Sequence, residues 1–171
     1  MGDIRSDARL GPSVRADRLS ETVGQVARGW IRIGREEARR LGLSLPQLFL
    51  LRGLRELGPF PASRWVDLMG SSPSALTGLL DGLESGGYIQ RTHDREDRRQ
   101  VLVSLSSKGR ALADSLKEEF QARWRTYCSG IAPSRLETAA DVLGVILERM
   151  GPIATESPHL RVAPRDRRRA S

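Results

Sequence analysis

The sequence is poor in the residues and patterns that mark secreted, membrane-spanning or metal-binding chains. Its one cysteine, Cys128, cannot form an intrachain disulfide, which suits a reducing compartment. Two histidines, His93 and His159, are too few and too far apart in sequence for a metal site. No apolar run approaches the roughly eighteen residues that a membrane span needs. From Met1 to Val14 acids alternate with arginines and there is no apolar core for a signal peptide, so the expected location is the cytoplasm, with no membrane partner. A paired nucleophile and base, a glycine-rich phosphate loop and metal-ligand spacing are all missing. Neither an enzyme nor a cofactor is expected.

What the chain does have is positive charge and helical periodicity. Its 171 residues carry 28 Lys and Arg against 21 Asp and Glu, a formal net charge of +7, which favours a polyanionic partner, most simply nucleic acid. The length suits one domain with extensions. Residues 1–17 read as a polar, flexible arm. From Leu19 the apolar positions Leu19, Val23, Val26, Trp30 and Ile33 follow near-heptad spacing, a seam suited to packing against another helix. A second helix is expected over Leu45–Leu57, ended by Gly58-Pro59-Phe60-Pro61, and a short one over Ser63–Met69, closed by Gly70. Ser72 then caps a helix with Pro73 at its first position and a stripe of Leu76, Leu79, Leu80 and Leu83.

After Gly86-Gly87 the period changes to alternation. Tyr88–Thr92 and Val101–Leu105 read as an antiparallel pair of strands around the charged loop from His93 to Gln100. Ser106 opens a long helix to about Ser129, with Leu112, Leu116, Phe120, Trp124 and Tyr127 on one side. Ser134 and Glu137 form a capping-box pair for a last helix, whose stripe Leu136, Ala139, Leu143, Ile146 and Met150 is again near-heptad. Beyond Gly151 the chain is Pro-rich and basic, and residues 151–171 read as a mobile tail, either solubilising or a nonspecific DNA-binding arm.

Short helix, turn, capped helix and charged hairpin, in that order, form a shape that duplex DNA accommodates. A helix enters the major groove with its first residues at base edges, and a hairpin tip reaches the backbone or the minor groove. At the front of the capped helix stand Ser71, Ser72, Ser74, Ala75 and Thr77, small enough for close approach and with hydroxyls that can bond to phosphates or bases. The hairpin supplies Arg91, Arg95, Arg98 and Arg99, suited to phosphate contacts or a narrow minor groove, although a solvated loop has the same composition. His93 reads as a strand-end residue. No lysine or arginine lies between Arg64 and Arg91, and Gly78 and Gly82 fall inside the capped helix. That helix is therefore expected to read DNA with hydroxyls, backbone groups and shape, while the wing and tail supply the charge.

The runs Ser72-Pro-Ser-Ala-Leu-Thr77, Leu79-Leu-Asp-Gly-Leu-Glu84, Gly86-Gly-Tyr-Ile-Gln-Arg91, Asp94-Arg-Glu-Asp-Arg-Arg99 and Val101-Leu-Val-Ser-Leu-Ser-Ser-Lys-Gly109 together resemble the multiple-antibiotic-resistance regulator (MarR) family. The helical pattern extends the resemblance from Leu19 to Met150. It implies a mostly α fold with a small β-hairpin wing, namely a winged helix-turn-helix over about residues 44–106 with dimerisation helices at about 18–41 and 107–150. It implies a homodimer on a pseudo-palindromic operator in double-stranded DNA, a repressor released by a small aromatic or phenolic effector. The near-heptad seams, with Leu19, Val23, Val26, Leu136, Leu143, Ile146 and Met150, suggest the same dimer independently.

The resemblance further implies that Asp97 orients a neighbouring arginine, and that a ligand pocket is lined by residues such as Trp30, Leu48, Arg52 and Trp65. Trp30 and Trp65 serve equally well as core residues, and Arg52 suits an anionic ligand. Two alternatives stay open. A winged-helix dimer can act as a protein-binding adaptor, which the neutral recognition helix allows. Cys128 can be a packed thiol or the sensor of a thiol-based redox-sensing regulator.

Overall fold

The computed structural model describes residues 11–94 and 97–150. Arg95 of the expected wing, the basic tail and residues 1–10 of the expected arm lie outside the described residues. The chain divides into two compact units, one ending at Leu45 and the other beginning at Pro46.

The first unit is built on α1, Pro12–Arg40. It begins well before Leu19, inside the stretch expected to be an arm. Pro12 stands in the first turn, where its missing N–H costs nothing, and no second proline follows it before Arg40. The helix ends where Gly42 takes a left-handed φ of 67° and the N–H of Leu43 bonds to the carbonyl of Ala38 at 2.8 Å. Val14, Val23, Val26 and Ile31 of α1 are exposed.

The remaining elements are α2 (Leu45–Leu57), β1 (Phe60–Pro61), α3 (Ala62–Met69), α4 (Pro73–Ser85), β2 (Ile89–His93), β3 (Val101–Leu105), α5 (Ser107–Tyr127) and α6 (Pro133–Met150). Their core takes Leu48, Leu50, Leu51 and Leu54 from α2, Trp65 from α3, and Leu76, Leu80 and Leu83 from α4. The strands add Ile89, Val103 and Leu105, and α5 adds Ala113 and Leu116. Each fully buried leucine contributes about 1.5–3 kcal/mol of apolar burial. The sheet has the order β1-β3-β2 and is antiparallel, with Ile89 opposite Leu105 and His93 opposite Val101. Phe60 and Pro61 were expected only to end α2, but they pair with Val103 and Leu102 as an edge strand. Two residues carry no period to read, and a proline is tolerated at an edge.

Gly58 and Gly70, with φ of 73° and 56°, turn the chain out of α2 and α3. The start of α6 differs from the expected capping box. Ser134 lies within the first turn, and the carbonyl of Ala132 accepts from Arg135 and Leu136. Pro133 has put the first helical position two residues earlier, where its fixed φ is already helical.

Where α5 leaves β3, it is fastened to the turn after α4. The Ser106 hydroxyl donates to the Gly87 carbonyl at 2.6 Å and caps the Gly109 N–H at 3.0 Å. Lys108 donates to the Gly86 carbonyl at 2.7 Å and lies over the Tyr88 ring at 4.3 Å. A Cβ at Gly109 would overlap the Tyr88 carbonyl oxygen, so glycine permits this approach. One turn further on, Arg55 of α2 meets Asp114 at 2.6 Å, and Lys117 meets Glu56 at 3.1 Å. Burial works against the Arg55 charge, but hydrogen bonds from Arg55 to Asp114 and Glu56 outweigh it and raise its pKa above the ordinary arginine value. Among the described residues no helix is long and apolar enough to cross a membrane.

Candidate nucleic-acid interface

Burial of Leu76, Leu80 and Leu83 fixes which side of α4 faces outward. At about 100° per residue, Ser74, Gly78, Asp81 and Ser85 occupy the middle of the opposite arc, with Ala75 and Thr77 on its two flanks; all six are exposed. The hydroxyls at the front are partly engaged within the helix. Ser72 Oγ accepts from the Ala75 N–H at 3.2 Å and stands 3.1 Å from Ser74 Oγ. Thr77 Oγ1 donates to the Pro73 carbonyl at 2.9 Å. Ser71 is half-buried, and its Oγ is buried without a hydrogen-bond partner. The front of α4 thus offers hydroxyl oxygens, methyl groups and the N-terminal end of a helix, which carries partial positive charge.

The described part of the wing is held by hydrogen bonds of its own backbone. The Asp94 N–H donates to the Gln100 carbonyl at 2.9 Å, and the Gln100 N–H to the Asp97 carbonyl at 2.9 Å. The Asp97 carboxylate accepts from the Arg99 N–H at 3.0 Å, while the Asp97 N–H bonds to the Asp94 carboxylate at 3.1 Å. Asp97 therefore shapes the tip through main-chain hydrogen bonds. His93 Nδ1 lies 2.9 Å from the Arg98 carbonyl, joining the strand end to the loop. The Arg98 and Arg99 side chains are exposed.

Arg91, grouped with the wing arginines from the sequence, faces the other way. Its Nη2 donates to Asp81 at 2.6 Å, its Nε lies 3.6 Å from Glu84, and its backbone N–H bonds to Glu84 at 3.3 Å. The acids at 81 and 84, three residues apart on the helix, hold the root of the wing against α4. Sequence reading passed over both, although that spacing places them on one helix face.

The other expected site residues fall in several places. Leu48 and Trp65 are core, and Phe60 meets Trp65 edge-on at 5.4 Å. Arg52 lies over the Phe120 ring at 5.5 Å. Trp30 is half-buried on α1. Of the expected seam, Val23, Val26, Leu143, Ile146 and Met150 are exposed, while Leu19 and Leu136 are half-buried. The structure adds Trp124, Tyr127, Val142 and Val145 to the exposed apolar side chains. Cys128 is half-buried at the C-cap of α5. Among the described residues no group of three or more His, Cys, Asp or Glu could hold a metal ion.

The MarR family model matches residues 43–101, which take in α2, the helix-turn-helix and the wing as far as the start of β3. An HTH-type transcriptional regulator of Bacillus subtilis, YfiV, is 31% identical over 110 residues, covering 64% of this chain and 69% of that protein. The chain belongs to the MarR family. Among its relatives in that family, the HTH-type transcriptional repressor MdtR of Bacillus subtilis is 30% identical over 107 residues, 63% of this chain and 69% of MdtR. The fold is shared with Streptococcus pneumoniae FabT, solved in complex with DNA, at a TM-score of 0.66 and 20% identity over 79% of this chain and 96% of FabT. This MarR-family chain is a winged helix-turn-helix transcriptional regulator, and its relatives are regulators rather than enzymes.

Proposed function

We propose that the protein is a homodimeric repressor that binds a pseudo-palindromic operator with α4 in the major groove and the wing on the flanking backbone or minor groove. The observation that carries this reading is the pairing of a capped helix with a small-residue front and a hairpin tip presenting Arg98 and Arg99. MdtR is named a repressor, and FabT was solved with DNA. Ser71, Ser72, Ser74, Ala75 and Thr77 form the groove-facing set. Arg98 and Arg99, with Arg95, contact the sugar–phosphate chain, and Asp97 and Arg91 hold them in position.

The dimer reading rests on apolar side chains left in solvent. No residue of α6 is buried, and Val142, Leu143, Val145, Ile146 and Met150 stand exposed within nine residues; such patches are rare on monomers. A second copy, using Leu19, Val23 and Val26 of α1 and Leu136 and its neighbours on α6, supplies the missing partner and sets two lobes about ten base pairs apart. The effector reading draws support from Trp65, whose indole N–H is buried without a hydrogen-bond partner, a group that a polar ligand atom would satisfy.

Fluorescence anisotropy tests the reading, using DNA upstream of the protein's own gene against scrambled duplex across a salt series. A repressor should prefer the upstream DNA by about a thousandfold or more. Weak, equal binding to both would favour the protein-binding adaptor, a role compatible with the neutral α4.

A further inference from the structure

From Pro73 to Ser85, α4 contains no Arg, Lys, Asn or Gln. Those side chains make the bidentate contacts that distinguish guanine and adenine in the major groove. The two acids are engaged by Arg91, which ties them to the root of the wing. The hydroxyls are partly occupied as well. Thr77 Oγ1 gives its proton to the Pro73 carbonyl. In the Ser72–Ser74 pair one O–H is engaged with the other, leaving a single side-chain donor between them. With Oγ1 bonded back onto the helix, the exposed Thr77 has its Cγ2 methyl to offer, and Ala75 is exposed on the other flank of the arc. Between them Gly78 has no side chain, and a Cβ there would meet nothing within 4 Å, so the helix can approach closely. Two methyl groups on an accessible surface with few side-chain donors match one base-edge feature, the C5 methyl of thymine.

We infer that Ala75 and Thr77 are specificity-determining residues that read thymine methyl groups in each half-site. The inference rests on the reading of α4 as the groove helix. It assigns the helix an apolar code where its hydroxyls alone suggested hydrogen bonding.

The test starts from duplexes selected out of a random pool by the full-length protein. Each thymine of the selected half-site is then replaced by uracil, which removes the methyl and keeps every hydrogen-bonding group. Removing one buried methyl group, about 0.8 kcal/mol, corresponds to a roughly fourfold weaker Kd, confined to the thymines under α4. On the protein side, Thr77→Val keeps the methyl and loses the hydroxyl, whereas Thr77→Ser does the reverse. Thr77→Val should hold operator affinity. Thr77→Ser should weaken it, and the uracil effect at one thymine should vanish in that variant. Uracil duplexes that bind as tightly as thymine duplexes would overturn the inference, as would Thr77→Ser binding normally while Thr77→Val does not. A pool that yields no sequence preference would instead remove the groove-helix reading, and the inference with it. The uracil measurement needs no protein variant, so a folding defect cannot mask the result.

Discussion

Two glycines give opposite expectations for the same substitution because their surroundings differ. Gly78 lies on the exposed arc of α4 with open space beyond it, so Gly78→Ala should stabilise the helix by up to about 1 kcal/mol. That corresponds to a rise in Tm of about 2–4 °C. Gly109 faces the Tyr88 carbonyl, and both belong to backbone already fixed by the Ser106 bonds. Gly109→Ala forces that backbone apart and should cost about 1–3 kcal/mol, read as a lower Tm; an unchanged Tm would mean that the close approach does not exist in solution. Charge at position 78 probes function instead. Gly78→Arg should tighten binding to unrelated duplex and steepen the salt slope by about 0.9. If affinity for unrelated DNA stays the same, α4 does not lie near the phosphates.

The wing and α4 behave as one element because Arg91 joins them. The Arg91 side chain is 25% exposed and its Asp81 partner 57%, so the ion pair itself contributes no more than about 1 kcal/mol to stability. Its effect should show in placement of the tip. Arg91→Gln is expected to weaken operator binding while leaving the salt slope unchanged, since Arg91 engages α4 and no phosphate. Arg98→Ala combined with Arg99→Ala should flatten the slope by about 0.9 for each phosphate that the wing then leaves unneutralised. A flattened slope in Arg91→Gln would show instead that Arg91 leaves Asp81 to meet the DNA.

For the molecule as a whole, among the described residues α6 and the far end of α5 leave apolar side chains uncovered, as α1 does. Burial along α5 runs out from Leu116 to the exposed Trp124 and Tyr127, and α6 buries nothing. Leu143→Glu with Ile146→Glu should therefore leave the core of the winged unit intact. Light scattering should give half the wild-type mass, and operator affinity should fall by roughly a hundredfold or more as two linked half-site contacts become independent. A variant that keeps the wild-type mass would place the subunit contact elsewhere.

The local features were legible in the sequence because each follows from short-range chemistry. The caps at Ser72 and Ser106, the proline at the start of α4, the leucine stripe and the change of period after Gly87 all act over a few residues. Motif order was enough to identify the winged helix-turn-helix. Long-range pairing and steric access were settled only in the folded chain. The edge strand at Phe60–Pro61 exists because β3 presents free backbone groups at that place. Arg91 turns from the tip to α4 because folding brings two carboxylates to it, and an arginine's charge does not reveal which anion it will meet. Leu48 and Trp65 became core because neighbouring elements close over them. A side chain's type fixes what it can bond to, but the tertiary structure decides which partner is within reach.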